Sequence, residues 1–398
     1  MVDVLIVGAG AAGLRCAEVA ASRGLTVRVV EKGRALGRKF LVAGKSGLNL
    51  THAEEFEVFA SRYHASPEHL PWLREVLARF DNIALRQWAA DLGVETFVAS
   101  SGRVYPVEMK GGRLFRRWIE RLRSLGVEIE TGWTLREVAT GKATFEQEGE
   151  RCEVRARRIV LALGGASWSW TGSDGSWTSL FSAESCAPWQ PANCGWEVAW
   201  PADLVEKIDG LVLKNVIATT GEHATRGELR ITRYGLEGGP VYRLGPFLRA
   251  PSPSTILHLD LKADLSAEQL RVRLRKCKRL GPRDVCRQLK LPREVAFLLT
   301  ALTLKWQSLD DAVRAVEALP LPLTGPRPLE EAISSAGGLR LDHLEPDFDL
   351  KNLPKVHAIG EMLDWEAPTG GYLLQMCFAM GTWTGEALAS EDSDELGF

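Results

Sequence analysis

Apolar positions change their spacing along the chain in an order that predicts an α/β protein. Val4-Leu5-Ile6-Val7 is continuous and rich in β-branched residues, the pattern of a parallel strand buried on both faces. From Ala11 to Arg23, Leu14, Ala17, Ala20 and Ala21 offer a packing face, Gly24 stops the run, and Leu25 to Val30 predicts a second strand ending at Glu31. Between Gly126 and Gly165 the runs shorten to Thr134–Val138, Ala143–Gln147 and Arg151–Arg155. Turn signals at Thr140-Gly141-Lys142 and Glu148-Gly149-Glu150 make these an antiparallel meander. Ile159 to Leu163 then predicts a buried strand closing on Gly164-Gly165. Far downstream, Val356 to Glu361 repeats the strand-then-glycine pattern, and Pro368-Thr369-Gly370-Gly371-Tyr372 opens an apolar helix from Leu373 to Leu388.

The middle of the chain is patterned differently. Pro188 to Asp260 is rich in Trp, Gly and Pro, with strand-like runs at Leu211–Thr219, Glu228–Ile231 and Ile256–Asp260. From Ser266 to Leu319 the spacing turns helical: Ser266 can cap Ala267–Lys278, Ser308 can cap Leu309–Ala318, and Pro282 and Pro292 interrupt. Pro320 to Pro328 reads as a proline-rich return loop.

The first strand leads directly into Gly8-Ala9-Gly10-Ala11-Ala12-Gly13, which is G-x-G-x-x-G between a strand and a helix. There Gly8 permits the tight turn, Gly10 lets backbone approach a pyrophosphate, Gly13 lets helix and strand pack, and the helix N-terminus faces the phosphate charge. Glu31 stands where a carboxylate can accept from both adenosine ribose hydroxyls and would repel a 2′-phosphate, so FAD or NAD is favoured over NADP. This unit alone does not choose between them. Beyond Glu31 the chain enters a basic, glycine-rich stretch containing Lys32, Arg34, Arg38, Lys39 and Lys45, where a plain NAD dehydrogenase would run on into its next helix. Lys39, Lys45, Ser46 and Asn49 are donors for phosphate, ribityl or ring oxygens.

Composition changes the picture little. The chain has 398 residues, 45% of them hydrophobic and 25% charged, enough apolar mass for two or three domains. Its 49 Lys+Arg against 51 Asp+Glu give no global drive towards nucleic acid or anionic membrane. The seven cysteines show no metal-site spacing and read as reduced thiols, so no metal is expected. No apolar stretch approaches a membrane span and no basic leader precedes the first strand, so the expected location is cytoplasmic. Charge is uneven in one place. Residues 271–293 hold ten Lys or Arg against Asp284 alone, +9 locally and leaving −11 elsewhere. Such helices could meet RNA phosphates or could simply be solvated faces, and the stretch lacks stacking aromatics. Trp168, Trp170, Trp177, Trp189, Trp196 and Trp200 are expected mostly in packing, with one or two free to wall a substrate chamber. His52 and Tyr105 could each move a proton, and neither is assigned a catalytic role.

Taken in order, several stretches resemble the bacterial YhiN/BaiN-type (HI0933-like) FAD-dependent oxidoreductases over nearly the whole chain. They are Gly8 to Gly13, Gly37-Arg38-Lys39 with Gly44-Lys45-Ser46-Gly47-Leu48-Asn49, Leu161-Ala162-Leu163-Gly164-Gly165, Gly210 to Val216, Gly227-Glu228-Leu229, Gly235 to Pro240, Gly360-Glu361-Met362-Leu363-Asp364, and Gly370 to Gln375. The resemblance implies a two-dinucleotide-fold, Rossmann-like FAD domain from residues 1–187 plus 342–398. It adds a β-rich domain from 188–262 plus 325–341 and a small helical domain from 263–324. It also implies FAD contacts: Gly8, Ala9, Gly10, Ala11, Ala12 and Gly13 at the pyrophosphate, Glu31 and Lys32 at the adenosine ribose with Arg38 and Lys39 nearby, and Leu135 at adenine. Ser46, Gly47 and Asn49 would approach the flavin, Ala162 and Gly164 would lie beside the cofactor, Gly360 and Glu361 would take the ribityl-phosphate side, and Gly371, Tyr372 and Leu373 the pyrimidine edge. Relatives commonly read Gly-Gly-Gly-Arg-Cys-Asn where this chain has Gly44 to Asn49, and Thr where it has Leu163, so no single relative's substrate carries over.

The expected chemistry is hydride exchange between flavin N5 and a small-molecule substrate. Enzymes of this kind reduce conjugated C=C bonds, including a uracil base in ribosomal RNA, or oxidise small aminoketones with O2. With one complete G-x-G-x-x-G, NADH or NADPH would visit the flavin transiently, or oxygen would close the cycle. A non-catalytic flavin- or RNA-binding module is the rival from another class.

Overall fold

In the computed structural model, residues 2–249 and 255–395 are described, with side chains to residue 390. They form two compact units: Met1–Gln190 with Ser334–Phe398, and Pro191–Ile333.

The first unit is built on a mixed sheet whose central strands run in the order 353–358, 150–161, 2–7, 27–31, 128–131. Val2–Val7 pairs in parallel with Val27–Glu31 on one side and with Glu150–Leu161 on the other, placing Val7 opposite both Val30 and Leu161. Leu353–Ala358 adds in parallel beyond, with Ala358 opposite Leu161. Strands from the two ends of the chain therefore flank one central strand, and their carboxyl ends open on the same side, where α/β sheets bind ligands. Val4 to Val7 are buried, as the continuous apolar run predicted.

Three local expectations change. Arg151–Arg155 and Ile159–Leu163 are not separate strands: Glu150–Leu161 is one twelve-residue strand. Its first half zips antiparallel onto Lys142–Gln147, its second half joins the parallel sheet, and burial passes from alternating to continuous along it. The basic stretch after Glu31 is not all loop, because Arg38–Ala43 forms a short helix behind a left-handed Gly37. The C-terminal helix, Tyr372–Glu395, starts one residue earlier than expected and runs past Leu388. It crosses the first helix, Ala11–Ser22, at very close range: a Cβ on Gly381 would lie 2.5 Å from the Ala12 carbonyl oxygen, and one on Gly385 2.8 Å from Val19 Cβ.

The first helix is also held from within by Glu18, which is 2% exposed. Its carboxylate accepts from Arg15 Nη1 at 3.0 Å, Trp88 Nε1 at 2.9 Å and Trp118 Nε1 at 3.0 Å, and Arg121 Nε lies at 3.1 Å. A buried charge is tolerable only when paired and hydrogen-bonded in this way, and three of the donors, Trp88, Trp118 and Arg121, join the first helix to Asn82–Asp91 and Gly112–Ser124.

The second unit holds a seven-stranded antiparallel sheet in the order 319–323, 255–260, 212–220, 223–231, 235–237, 196–197, 325–326. Ser266 and Ser308 form capping boxes at the helices Ala267–Leu274 and Leu309–Glu317. Pro282 starts the helix Pro282–Leu289 rather than merely breaking one, since the first helical residue needs no N–H partner. The proline-rich return is a strand in its first half: Leu319–Leu323 pairs with Thr255–Asp260, burying Leu319, Leu321 and Leu323. It is the edge of its sheet, where prolines cost no ladder bond. The helices of 263–324 share one buried cluster with this sheet, through Leu270, Val285, Leu298 and Val313 beside Leu229, Ile231 and Leu257.

Candidate cofactor site

The glycine turn has the geometry its spacing implies. Gly8 has φ +111°, and a Cβ there would lie 2.2 Å from the Ala162 carbonyl oxygen; one on Gly13 would lie 2.1 Å from the Gly8 carbonyl oxygen. Both positions are closed to any side chain. Gly10 is the opposite case: a Cβ there meets nothing within 4 Å. Gly10 is also the N-cap of the first helix, and no side chain caps it, so that helix start is left without the usual protein partner for its first N–H groups. Glu31 holds the loop in place, its Oε2 accepting from Ala9 N at 2.8 Å and its Oε1 from Gly33 N at 2.7 Å. Each oxygen keeps a second lone pair for a ribose hydroxyl. Trp133 N donates to the Glu31 carbonyl at 3.0 Å, which brings the hairpin carrying Leu135 beside this carboxylate.

The two sequence-distant halves meet at an ion pair. Lys39 Nζ lies 2.7 Å from Glu361 Oε2 and donates to Ser167 Oγ at 3.0 Å. Glu361 is buried, and Ser335 packs beside it with its Oγ accepting from Ala166 N at 2.9 Å. A Cβ on Gly165 would strike Ser335 Oγ at 2.1 Å, so this knot leaves room only for glycine. Gly164, at φ +75°, is braced by Trp177, whose Nε1 donates to its carbonyl at 2.9 Å. Gly360, at φ +85°, faces Ala12: a Cβ there would lie 2.9 Å from the alanine methyl. Gly360, Glu361, Lys39, Gly164 and the Gly8–Gly13 turn are thus one contiguous region.

Along residues 44–49, Lys45 and Ser46 are exposed and Asn49 is half-buried with its Oδ1 enclosed and without a hydrogen-bond partner. The Cβ position of Gly47 is 2.9 Å from Met109 Cε and 3.5 Å from Tyr105 Cε1. Gly371, at φ +92°, packs its backbone on the strand Thr51–His52, where a Cβ would lie 2.5 Å from Thr51 Cα. Tyr372 is where expectation and structure part. Its ring is 1% exposed, stacked on His52 at 5.4 Å and donating from its hydroxyl to Glu54 Oε2 at 2.7 Å, so the side chain faces the core and not the site. His52 is likewise internal, its Nε2 3.0 Å from the Ser101 carbonyl oxygen. Lys32 is committed to Asp174 at 2.7 Å, and Arg38 lies over the exposed ring of Trp170 at 5.4 Å. Of the tryptophans, Trp177, Trp189 and Trp196 pack in the interior or brace it, while Trp168 and Trp170 stack on each other at the surface.

Sequence reasoning missed Glu54, Arg62, Tyr63, Ser167 and Ser335. Their partners lie up to 318 residues away, so no local pattern could have found them. The Glu54 carboxyl is pushed up by burial but pulled further down by hydrogen bonds from Arg62 and Tyr372 and by the Arg62 charge, so it is held below the ordinary glutamate range. Elsewhere, Glu68, His69 and Asp342 bring three ligand atoms within 4.8 Å of one another, but both carboxylates are exposed and a His69–Asp342 contact at 3.2 Å accounts for the grouping. All seven cysteines are free thiols. No helix among the described residues is long and apolar enough to cross a membrane.

These residues fit FAD. The open face at Gly10 with an uncapped helix start suits a pyrophosphate, and the unpartnered Asn49 Oδ1 suits a ring N–H. Comparison with known proteins agrees on the framework. The family described as "HI0933-like protein Rossmann domain" matches residues 2–387. The chain is similar to a 3-dehydro-bile acid delta(4,6)-reductase of Clostridium scindens, 27% identical over 417 aligned positions covering 96% of this chain and 98% of that one. It is also similar to a ribosomal RNA dihydrouridine synthase of Escherichia coli, 21% identical over 95% of both chains. Among solved structures, 3-ketosteroid delta1-dehydrogenase from Sterolibacterium denitrificans in complex with 1,4-androstadiene-3,17-dione shares the fold, with a TM-score of 0.53 at 13% identity, covering 98% of this chain and 99% of that one.

Proposed function

Since the chain belongs to the HI0933-like Rossmann-domain family and is an FAD-dependent oxidoreductase, we propose that it reduces a C=C bond conjugated with a carbonyl in a small unsaturated ring compound, with NADH or NADPH supplying the electrons. The observation that carries this reading is that the open Gly10 and the Lys39–Glu361 pair bring both ends of the chain to one region, which suits a long cofactor. The choice of reaction is supported by the two full-length relatives, named as a 3-dehydro-bile acid delta(4,6)-reductase and a ribosomal RNA dihydrouridine synthase, names that fit addition of hydrogen across a ring C=C bond.

FAD, when bound, supplies the hydride carrier that no side chain can provide. The protein's part is to bind, orient and exclude water. The first-helix N–H groups would take the pyrophosphate charge, Glu31 the ribose, and the Lys39–Glu361 pair would fix the two halves around the middle of the cofactor. The start of the C-terminal helix at Gly371 presents N–H dipoles suited to negative charge. Protonation of the substrate carbon next to the carbonyl needs an acid, and Tyr105 is the phenol that packs against the Gly47 loop.

A second reading takes a pyrimidine in structured RNA as substrate, and it is favoured by the second unit's basic helices. Arg271, Arg287 and Arg293 have acidic partners, whereas Arg273, Arg275, Lys276, Lys278, Arg279 and Arg283 are exposed or half-buried and form no ion pair among the described residues.

The test is the visible spectrum of the purified protein followed by anaerobic titration with NADH and NADPH, then addition of cyclohexenone, a 4-en-3-one steroid or ribosomal RNA. Oxidised-flavin bands, bleaching by a nicotinamide and reoxidation by an enone are expected. Reoxidation by RNA alone, with affinity falling steeply with salt, selects the second reading. Amine-dependent peroxide production would replace reduction by oxidation, and a flavin that no acceptor or oxygen reoxidises would mark a binding module.

A further inference from the structure

We propose that Tyr63 and Tyr372, with Glu54 as the acceptor of Tyr372, are positioning residues that fix the start of the C-terminal helix against the flavin and thereby set its reduction potential. The proposal rests on FAD occupying the candidate cofactor site.

The glycine pair before the helix has no spare room. A Cβ on Gly370 would lie 2.7 Å from Tyr372 Cε2, and a Cβ on Gly371 would lie 2.5 Å from Thr51 Cα. The Tyr372 ring and the backbone of Thr51–His52 therefore close on the pair, and only glycine fits between them. The ring itself has no freedom. His52 stacks on it at 5.4 Å, Phe59 lies at 4.8 Å, and Tyr63 meets it edge-on at 6.3 Å. Two hydrogen bonds then tie the helix start to the body of the unit: Tyr372 Oη donates to Glu54 Oε2 at 2.7 Å, and Tyr63 Oη donates to the Tyr372 carbonyl at 2.8 Å.

Glu54 is a fixed point. Arg62 donates to both of its oxygens, at 2.6 and 3.2 Å, and Asn82 Nδ2 donates to its carbonyl at 3.0 Å. Tyr63 and Tyr372 are buried, so no water competes for these bonds, and a bond to a charged acceptor is among the stronger ones a side chain makes. None of these groups reaches the open face of the site. They act through the position of the Gly371–Tyr372 backbone, whose N–H dipoles favour the negative charge that reduced flavin gains. A helix start that drifts loses that interaction steeply, because the dipole effect is confined to the first turn.

Tyr372→Phe and Tyr63→Phe each keep the ring and remove one bond. Each variant is expected to fold and bind FAD, with a melting temperature lowered by a few degrees for the lost buried hydrogen bond. At a fixed reference potential set by a redox dye, its ratio of reduced to oxidised flavin is expected to fall about tenfold, which for a two-electron couple is about 30 mV more negative. The double variant is expected to fall further. A lowered melting temperature with an unchanged potential in both single variants would make the cluster merely structural and overturn the inference, leaving the cofactor reading intact. A wild type that cannot be loaded with FAD would overturn both.

Discussion

Two of the glycine-led helix starts in the first unit use glycine for opposite ends. At Gly10 the missing side chain leaves empty space in front of uncapped N–H groups, whereas at Gly371 the missing side chain is filled by the backbone of Thr51. One glycine is kept open for a ligand and the other is kept closed for the protein. The G-x-G-x-x-G loop itself shows both uses, since Gly8 and Gly13 are as tightly occupied as Gly371 while Gly10 between them is free. A glycine near a phosphate site is therefore not by itself a contact with the ligand, and the two kinds should separate on substitution.

Gly371→Ala should have the largest effect. It puts a side chain at φ +92° and a carbon 2.5 Å from Thr51 Cα, so a loss of about 3 kcal/mol or more in urea unfolding is expected. Gly8→Ala should fall in the same range for the same reason, and a neutral result at either position would erase the contrast. Next is Glu361→Gln, which leaves the Lys39 ammonium without its carboxylate and is expected to cost about 1–3 kcal/mol. It should also weaken FAD retention in gel filtration, because the pair joins the two halves. Gly10→Ala sharpens the comparison from the other side: stability should stay within about 0.5 kcal/mol of wild type. Equilibrium dialysis should nevertheless show FAD binding weaker by about tenfold or more, about 1.4 kcal/mol. The smallest effect concerns pH. Glu54 is held below the ordinary glutamate range in the folded protein, so its stabilisation is complete above that range and is lost as pH falls through the depressed value. Urea midpoints compared at neutral and acid pH should show a shallower acid-side loss in Glu54→Gln than in wild type.

The same distinction explains how much was legible in the sequence. The Gly8–Gly13 turn, the strand ending at Glu31, the hairpin and the late strand before Gly360 are local patterns, and each lies where its spacing placed it, within a few residues. The capping boxes at Ser266 and Ser308 are local too. What escaped depends on partners distant in sequence. Pro320 to Pro328 reads as a loop because prolines disfavour strands, and only an edge position makes the strand Leu319–Leu323 tolerable. Glu18 looks like any surface acid on an amphipathic helix until Trp88 and Trp118 arrive from 70 and 100 residues away. Tyr372 sits in the expected motif, yet its ring turns inward, where its hydroxyl donates to the Glu54 carboxylate 318 residues earlier.

The pairing of 353–358 onto 150–161 carries a consequence for biosynthesis. When the ribosome has released the first 190 residues, the Gly8–Gly13 turn can form, but Lys39 has no carboxylate to meet and the sheet lacks a neighbour on one flank. At about 5–20 residues per second, the intervening stretch keeps that flank unpaired for roughly ten to thirty seconds. An unpaired strand edge is a template for aggregation. On the proposed reading, early flavin capture is not expected to relieve it, because Glu361 and the C-terminal helix start have yet to be translated. Expression with chaperone support, rather than added riboflavin, is the lever expected to raise the yield of folded protein.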